Sequence, residues 1–268
     1  MMGTQRRDLI LEQLRQDGTV YTADLVKKLK VSSETIRKDL DYLEKEGRLV
    51  RVHGGAVPAN PSPADGGESE ASPYISFHIR NTQNIRQKTA IAEYAASLVK
   101  EHQVVALDYG STSQILAAAL KDKFHALTII TNSVRNALIL ADNPGFTTIL
   151  TGGILTKEEY SLVNDFAPIT DYLHIDIFFM TVTGIDPAIG FTDLRLNEAK
   201  TQNQLRRSSD RTIVLADHSK FGKSSLARIC SLREVDRIIT DSELPEQIEQ
   251  DIRRSGTELF LVEAGGVS

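Results

Sequence analysis

Two short helical segments joined by a three-residue turn constrain the N-terminal part of this chain more than any other feature. Apolar residues recur at helical spacing in Thr22–Leu29, where Thr22 is the expected cap, and in Ser33–Glu46, with residues 30–32 between them. The spacing i, i+4, i+7 places three apolar side chains on one face of the second segment: Ile36, Leu40 and Leu43. Arg6–Gln16 is also helical by its periodicity, so the pattern predicts a three-helix unit that contains a helix-turn-helix.

Small polar and charged residues lie on the opposite face of the last helix, near its N-terminal end. Such side chains reach base edges and phosphates when a helix of this kind enters a DNA groove. After Gly47, alternating apolar and basic residues followed by Gly54-Gly55 predict a two-stranded wing. We predict that this unit binds double-stranded DNA through Thr22, Ser32, Ser33, Glu34, Thr35, Arg37, Lys38, Arg51 and His53.

The same run resembles the DNA-binding domain of the DeoR family of bacterial transcriptional regulators. The residues that carry the resemblance are Arg6, Ile10, Leu14, Ser32, the run T-I-R-K-D-L at 35–40, Leu43-Glu44, Gly47 and H-G-G-A at 53–56. The resemblance implies a transcriptional regulator, most often a repressor, that binds operator DNA. Such operators usually contain repeated half-sites and a single small domain has limited affinity, so we expect a homo-oligomer.

The distribution of charge bears on whether this unit binds DNA. The chain has a net charge of -5, yet residues 1–57 carry 11 Lys/Arg and 9 Asp/Glu, whereas the rest carries 20 and 27. Basic charge is therefore concentrated on the N-terminal unit. A winged three-helix unit can also bind another protein, and the pattern alone leaves that alternative open. Only binding to DNA phosphates would weaken steeply as the salt concentration rises.

Composition limits the other classes of protein to which the chain could belong. The single cysteine, Cys230, excludes an intramolecular disulfide and a cysteine-based zinc site. No apolar run approaches the length of a membrane span or of a signal peptide, so we expect a cytoplasmic protein without membrane contact. The six histidines are scattered singly, without the spacing of a metal motif, and we expect neither a metal nor a cofactor.

Residues 58–73 read as a linker between two domains. The segment holds four prolines, two glycines and almost nothing that could enter a core. It predicts a winged helix-turn-helix domain at 1–57 and a second domain at 74–268.

Beyond the linker, strand and helix signals alternate, which favours an α/β fold with a mostly parallel sheet. Five predicted strands are followed by small hydroxyl, glycine and acidic residues: D-Y-G-S-T-S, T-N-S, T-G-G, T-G-I-D and D-H-S-K. Because the carboxyl ends of parallel strands face one crevice, these segments predict a ligand site. The alternative for any one segment is that turns are rich in such residues simply because they cap helices.

Asp108–Ser113 is the sharpest of these segments. Its glycine lets the backbone bend, and the hydroxyls and N–H groups that follow open a helix, where the dipole favours an anion. The segment fits neither the Walker A motif nor G-x-G-x-x-G, so a small phosphorylated molecule is favoured over a nucleotide.

The resemblance to the DeoR family extends through this second domain. It rests on Arg80, Asn84, Lys88, D-x-G-S-T at 108–112, T-N-S at 131–133, T-G-G at 151–153, G-I-D at 184–186, Glu198, Lys200 and D-x-S-K-F at 217–221. The resemblance implies a sensor of sugar phosphates or related metabolites, with a fold of the ribose-5-phosphate isomerase/CoA transferase-like type. The implied ligand-binding residues are Asp108, Gly110, Ser111, Thr112, Ser113, Asn132, Ser133, Gly152, Gly153, Gly184, Asp186, Glu198, Lys200 and Lys220.

A sugar-phosphate isomerase is the competing hypothesis for this domain. Such enzymes need a carboxylate base and groups that stabilise an enediolate, parts that Glu198 and Lys200 could play, and Asp186 and Lys220 match positions that the isomerases use. The isomerase loop D-G-A-D is T-G-I-D here at 183–186, so one acid is missing. We therefore expect binding without catalysis, although Glu198 and Lys200 could also be an ordinary solvated pair at a helix start.

Overall fold

The computed structural model describes residues 3–17, 20–52, 55–58, 77–163 and 172–265. By its internal contacts the chain divides into two units, residues 1–83 and 84–268. The first holds the predicted helix-turn-helix, and the second holds the predicted α/β domain.

Three helices and a small antiparallel sheet form the described part of the first unit. The helices are α1 (Gly3–Asp17), α2 (Thr22–Leu29) and α3 (Ser33–Lys45), and the strands are β1 (Val20–Tyr21), β2 (Leu49–Val52) and β3 (Gly55–Pro58). The strands lie in the order β1-β3-β2. A short helix, α4 (Phe77–Arg80), comes later in the chain.

The core of the first unit lies between the helices and the sheet. Its buried side chains are Ile10, Leu11, Leu14, Val20, Leu25, Ile36, Leu40, Leu43, Leu49 and Ala56. Lys30 adopts a left-handed conformation with φ 53° and ends α2, and the Ser32 hydroxyl caps α3 by accepting from the Thr35 N–H at 3.2 Å. A Cβ at Gly55 would lie 2.1 Å from the Val20 carbonyl oxygen, so β3 can approach β1 only with glycine here.

The second unit alternates helices and strands along most of its length. Its helices are α5 (Ile85–Ser97), α6 (Ser111–Lys123), α7 (Val134–Leu140), α8 (Leu196–Arg207) and α9 (Glu246–Arg254). Its strands are β4 (Val104–Leu107), β5 (Thr128–Thr131), β6 (Thr147–Leu150), β7 (Ile154–Thr156), β8 (Ser161–Val163), β9 (Ile175–Thr181), β10 (Gly184–Asp186), β11 (Gly190–Asp193), β12 (Ser209–Leu215), β13 (Ala227–Cys230), β14 (Arg237–Asp241) and β15 (Glu258–Val262).

A seven-stranded parallel sheet is the centre of the second unit. Its order is β15-β14-β12-β9-β4-β5-β6. Successive residues of β9 face opposite sides: Ile177 and Phe179 join the cluster formed with α5 and α6, whereas Phe178 and Met180 join the cluster formed with α8. Both faces of the sheet are therefore covered, as expected for parallel strands made almost wholly of apolar residues.

Two smaller antiparallel sheets lie beside the main one. Strands β10, β11 and β13 form the first, and the hairpin β7-β8 forms the second. The sequence analysis did not predict them, because three- and four-residue strands with mixed exposure have little periodicity.

The predicted fold class is confirmed: the chain has an N-terminal helix-turn-helix unit and a mostly parallel α/β unit. Within the described residues, no helix combines the length and the apolar character needed to cross a membrane. Pro58, which we had placed in the linker, is the last residue of β3. Residues 59–73 lie outside the described residues, so the linker and the domain boundaries stay predictions.

Candidate functional site

The outward face of α3 carries five of the side chains predicted to contact DNA. Ser33, Glu34, Arg37 and Lys38 are exposed and Thr35 is half-buried, while Ile36, Leu40 and Leu43 on the opposite face are at most 1% exposed. Glu34 and Lys38 form an ion pair of 3.4 Å across one turn of the helix. The helix thus presents a polar, partly basic surface without using any core residue.

A buried acid that the sequence analysis did not single out fixes α3 against α1. Asp39 is 3% exposed and accepts a hydrogen bond of 3.2 Å from Arg6 Nη2, and Arg7 Nη1 lies 3.6 Å from the same carboxylate. The hydrogen bond with Asp39 raises the pKa of Arg6 above its usual value. The available signal was an acid between two apolar positions of α3, together with a pair of adjacent arginines in α1.

Four further residues predicted to contact DNA lie elsewhere in the first unit. Thr22 is half-buried and begins α2, but Tyr21 is the cap residue and no side chain caps the helix, so the expected Thr22 cap is wrong. Ser32 caps α3. Arg51 is ion-paired with Asp41, and its N–H donates to Glu44 Oε1 at 2.8 Å. His53 lies outside the described residues.

In the second unit, the carboxyl ends of β4, β5, β9 and β12 all lie at the same edge of the sheet, because the strands are parallel. This edge is called the crevice below. Asp108 directly follows β4, and Asn132 directly follows β5. Thr181 is the last residue of β9, and Asp217 comes two residues after the end of β12. The topology thus brings together segments that are far apart in the chain.

Asp108 is the centre of a buried hydrogen-bond network in the crevice. Its carboxylate accepts from the backbone N–H groups of Tyr109 at 2.9 Å and Thr181 at 3.0 Å, from Asn132 Nδ2 at 3.2 Å and from Gln202 Nε2 at 2.9 Å. Complete burial raises the pKa of Asp108 to about 7, against the opposing effect of these donors. The carboxyl group therefore holds strands β4, β5 and β9 and helix α8 together.

The segment from Gly110 to Ser113 forms the start of α6, as predicted. Gly110 has φ 118°, and a Cβ there would lie 3.1 Å from Thr181 Oγ1. The three following residues are buried, and the Ser113 hydroxyl donates to the Asp108 carbonyl at 2.5 Å. Asn136 Nδ2 donates in turn to Ser113 Oγ at 3.0 Å. The hydroxyl of Ser113 is thus engaged within the protein.

A second group of buried acids adjoins the first. The Tyr109 hydroxyl lies 2.8 Å from Asp193 Oδ2 and 3.2 Å from Glu198 Oε2, and Glu198 also accepts from Ser161 Oγ at 3.0 Å and pairs with Arg195 Nη1 at 3.3 Å. Burial, followed by the nearby Asp193 charge, raises the pKa of Glu198. Glu198 is completely buried, so the alternative of a solvated pair is wrong for it; Lys200 is exposed.

The third group surrounds Asp217 after β12. This residue is 1% exposed, and its Oδ1 accepts from Asn84 Nδ2 at 2.9 Å and from the Ser219 N–H at 3.1 Å. A 3-10 turn, His218–Lys220, follows directly and carries Lys220, which is half-buried. His218 is half-buried, with its Nδ1 2.8 Å from Asp241 Oδ1.

The remaining predicted ligand-binding residues take several positions. Ser133 is buried and caps α7 by accepting from the Asn136 N–H at 3.2 Å. Gly152 and Gly153 are exposed at positive φ, and Gly184 is buried. The Asp186 carboxylate accepts from the N–H groups of Ala188 at 2.8 Å and Ile189 at 3.0 Å in the turn between β10 and β11. That carboxylate has a structural role in a hairpin turn.

Several buried oxygens around the crevice have no hydrogen-bond partner among the described residues: Asn132 Oδ1, Asn136 Oδ1, Thr151 Oγ1 and Gln202 Oε1. Buried polar atoms are normally satisfied, so such atoms indicate sites for water or ligand. Tyr109, Thr181, Asp193 and Gln202 were not among the predicted site residues. Most of the bonds that they make in this network, to Asp108, to Glu198 and to one another, join residues far apart in sequence and leave no local pattern.

Two groups of one histidine with two carboxylates occur in the part of the chain that the structure describes. They are His174 with Asp176 and Asp210, and His218 with Asp241 and Glu243, with ligand atoms within 4.8 Å of one another. In both groups the histidine already pairs with an aspartate, at 3.2 Å for His174 and 2.8 Å for His218. Each histidine thus has a carboxylate partner within hydrogen-bonding distance.

Comparison with known proteins gives consistent matches along the chain. Residues 6–61 match the family model of the DeoR-like helix-turn-helix domain, and residues 83–242 match that of the DeoR C terminal sensor domain. The HTH-type transcriptional regulator GolR of Listeria innocua is 34% identical, over 98% of this chain and 100% of that protein. The glycerol-3-phosphate regulon repressor of Escherichia coli is 29% identical, over 93% of this chain and 95% of that protein. Among solved structures, ribose 5 phosphate isomerase A from Neisseria gonorrhoeae matches with a TM-score of 0.39 and 17% identity, over 55% of this chain and 57% of that chain.

Proposed function

This chain belongs to the DeoR family of DNA-binding transcriptional regulators, and from that premise we propose that it represses a carbohydrate-utilisation operon under the control of a phosphorylated sugar or related metabolite. The observation that carries the proposal is the outward face of α3. Its polar side chains are exposed near the N-terminal end of the helix, while a complete apolar core and the Asp39 carboxylate hold the opposite face. A helix held in this way can enter the major groove without unfolding its own unit.

The proposed effector site is the start of α6 in the crevice. The N–H groups of the first helical turn and the positive end of the helix dipole favour a phosphate there, and the positive φ of Gly110 lets the backbone bend at the cap. Asn132 Oδ1 and Thr151 Oγ1 are buried acceptors at the neighbouring strand ends. They suit the hydroxyl groups of a sugar, and Lys220 suits an anionic group.

Binding without catalysis is also part of the proposal. An isomerase would need a carboxylate free to abstract a proton from carbon. Glu198 is instead bonded to Tyr109, Ser161 and Arg195, and Asp186 is bonded to a hairpin turn. These bonds favour a sensor in which the acids shape the crevice. Sustained conversion of pentose or hexose phosphates by the purified protein, far above the rate in buffer, would contradict this part.

A homo-oligomer is also part of the proposal. A single small DNA-binding unit makes few contacts, and operators with repeated half-sites are matched by symmetric assemblies. Light scattering of the full-length protein, with and without operator DNA, tests this. A monomer in both measurements would contradict it.

The decisive experiment joins the two sites. Operator sequences are selected from random duplex DNA with the full-length protein, and operator affinity is then measured with a panel of triose, pentose and hexose phosphates, with the matching free sugars as controls. We expect one phosphorylated compound to change operator affinity and its free sugar to have no effect. Gly110→Val, which places a β-branched side chain at positive φ against Thr181, should abolish that response and leave operator binding intact. A protein that selects no DNA sequence would overturn the proposal.

A further inference from the structure

We propose that the hydrogen bond between Asn84 and Asp217 couples occupation of the crevice to the point where the chain enters the second unit. The inference deepens the proposed function and rests on it, because it assumes that an anionic ligand binds near the 3-10 turn His218–Lys220. Asn84 is the first residue of the second unit, and Asp217 follows β12 in the crevice. Although 133 residues separate them in sequence, the two side chains meet at 2.9 Å.

Asn84 uses its side chain in an unusual way for a residue at the start of a helix. It precedes α5, and its carbonyl accepts from the Lys88 N–H at 2.9 Å, yet its side chain does not cap the helix. Asparagine in this position ordinarily accepts a bond from the first helical turn. Here the backbone is left-handed, with φ 52°, and the amide donates to Asp217 instead. A long-range contact therefore replaces the local cap.

Asp217 connects this contact to the part of the crevice that carries Lys220. Its Oδ1 accepts from Asn84 and also from the N–H and hydroxyl of Ser219, at 3.1 and 2.5 Å, which fixes the first residues of the turn. His218, which lies between Asp217 and Ser219, is held by a separate contact, because its N–H donates to Asp241 Oδ2 at 2.8 Å. A ligand that moves Ser219 or Lys220 therefore changes the position or charge of the carboxylate that holds Asn84.

The charge state of Asp217 suits this role. Burial acts to raise its pKa, but the hydrogen bond from Ser219, the charges of Lys220 and Lys88 and the bond from Asn84 outweigh burial and leave the pKa below its usual value. The group is thus a carboxylate at neutral pH, and its bond with Asn84 is charge-assisted. Residues 81–84 are all that separate α4 from α5 in the chain. A stronger or weaker hydrogen bond at Asn84 therefore changes how well ordered residues 81–84 are. This segment joins the first unit to the second.

Amide hydrogen exchange of the full-length protein tests the coupling, with inorganic phosphate as the probe. In the wild type we expect phosphate to slow exchange in peptides covering 217–221 and also in those covering 81–90, by about two- to tenfold, the effect of one hydrogen bond. Asn84→Gly keeps the left-handed backbone and removes the amide, so only 217–221 should respond. Asn84→Asp, which faces Asp217 with a second carboxylate, should behave like Asn84→Gly.

The matched control is His102→Gly, a change at another left-handed residue of the second unit, with φ 67°, exposed and remote in sequence from both partners. It should respond as the wild type does. Protection of 217–221 by phosphate without any response at 81–90 in the wild type overturns the coupling, as does an equal response at 81–90 in Asn84→Gly. Absence of protection at 217–221 in the wild type counts instead against the assumption that an anionic ligand binds near the turn His218–Lys220.

A measurement without ligand keeps the coupling testable in that last case. Ser219→Ala removes one donor from Asp217 and no contact of α5. It should change exchange at 81–90 about twofold or more in an otherwise wild-type chain. The same change made in Asn84→Gly should leave exchange at 81–90 unaltered. Equal effects in both backgrounds, or no effect in either, overturn the inference.

Discussion

On the outward face of α3, four of the five residues proposed to contact DNA are exposed, whereas the residues proposed to bind the effector are mostly buried and many are bonded to one another. Arg37 and Lys38 are exposed. Asp108, Ser113 and Asn132 are completely buried in one hydrogen-bond network. In the first unit, the proposed DNA contacts and the fold thus involve different side chains; in the crevice, the proposed ligand contacts and the fold involve the same ones. Mutations should separate the two properties in one unit and change them together in the other.

The largest expected effect is the loss of stability in Asp108→Ala. At least four donors lose their buried acceptor, and each unsatisfied group is costly, so the free energy of unfolding should fall by more than about 3 kcal/mol. Urea unfolding followed by circular dichroism measures this. Asp186→Ala, an acid in a hairpin turn, is the control and should cost about 1 kcal/mol. A loss no greater in Asp108→Ala than in its control would contradict the stabilising role assigned to the buried network around Asp108.

Arg37→Ala should produce the next largest effect. It should weaken operator binding without changing the stability of the protein. If Arg37 contacts a base edge, operator binding should weaken by about 1 to 3 kcal/mol, because the bidentate contact is lost. The free energy of unfolding should stay within about 0.5 kcal/mol of the wild type, since the side chain is exposed. Fluorescence anisotropy titrations with operator DNA measure the affinity. The control is Lys45→Ala, which changes an exposed lysine in the last turn of the same helix. Unchanged operator affinity in folded Arg37→Ala would refute the assignment.

The pH dependence of stability should distinguish the crevice from the DNA-binding unit. Because burial raises the pKa of Asp108 to about 7, the folded state holds a proton that the unfolded state releases near its ordinary pKa. The stabilisation is therefore complete below the unfolded pKa and is lost as the pH rises through about 7. Between about pH 6 and 8 the second unit should lose about 1 kcal/mol.

Unfolding experiments at several pH values check this slope. Asp108→Asn, which has no proton to release, should show a flatter profile than the wild type. A wild-type unfolding free energy that rises between these pH values would contradict the direction derived from Asp108.

The smallest expected effect is that of Lys38→Ala on the salt dependence of operator binding. If Lys38 contacts one phosphate, the slope of log K against log salt should become shallower by about 0.9. The exposed ion pair with Glu34 adds only about 0.2 to 0.5 kcal/mol to helix stability, so unfolding should hardly change. Glu34→Ala, which breaks the same ion pair and leaves the lysine, serves as the control. Equal salt slopes for Lys38→Ala and wild type would remove Lys38 from the DNA contact.

The same contrast explains how much could be predicted from the sequence. The apolar spacing of α3 predicted which of its side chains are exposed, because the periodicity of one helix decides that. The alternation of strands and helices and the parallel strand ends facing one edge also followed from local patterns, whereas the order of the strands in the sheet did not. The partners of Asp108 did not: Gln202 lies 94 residues further along the chain, and Tyr109 reaches Asp193 across 84 residues. Only the packing of α8 and the small β10-β11-β13 sheet against the crevice creates those contacts.

Some motif residues have roles that a motif cannot reveal. Asp186 and Asp108 both follow apolar strand residues and are both acidic, yet one carboxylate bonds a hairpin turn and the other is fully buried among four donors. What separates them is burial, which depends on neighbours in space. For the same reason Glu198 was compatible with a solvated pair until α8 was seen to place it beneath Tyr109 and Ser161.

The two faces of α3 also bear on how such a protein can diverge after gene duplication. Ile36, Asp39, Leu40 and Leu43 hold the helix, and none of them belongs to the polar set at its outward face. A duplicate could therefore come to bind a new operator through a few substitutions on the outward face. Each of these would leave the stability of the fold unchanged, so they could occur singly and in any order. Acquiring a new effector would require compensated changes among mutually bonded residues. Descendants of one ancestor should accordingly change the genes they control sooner than the metabolite they sense.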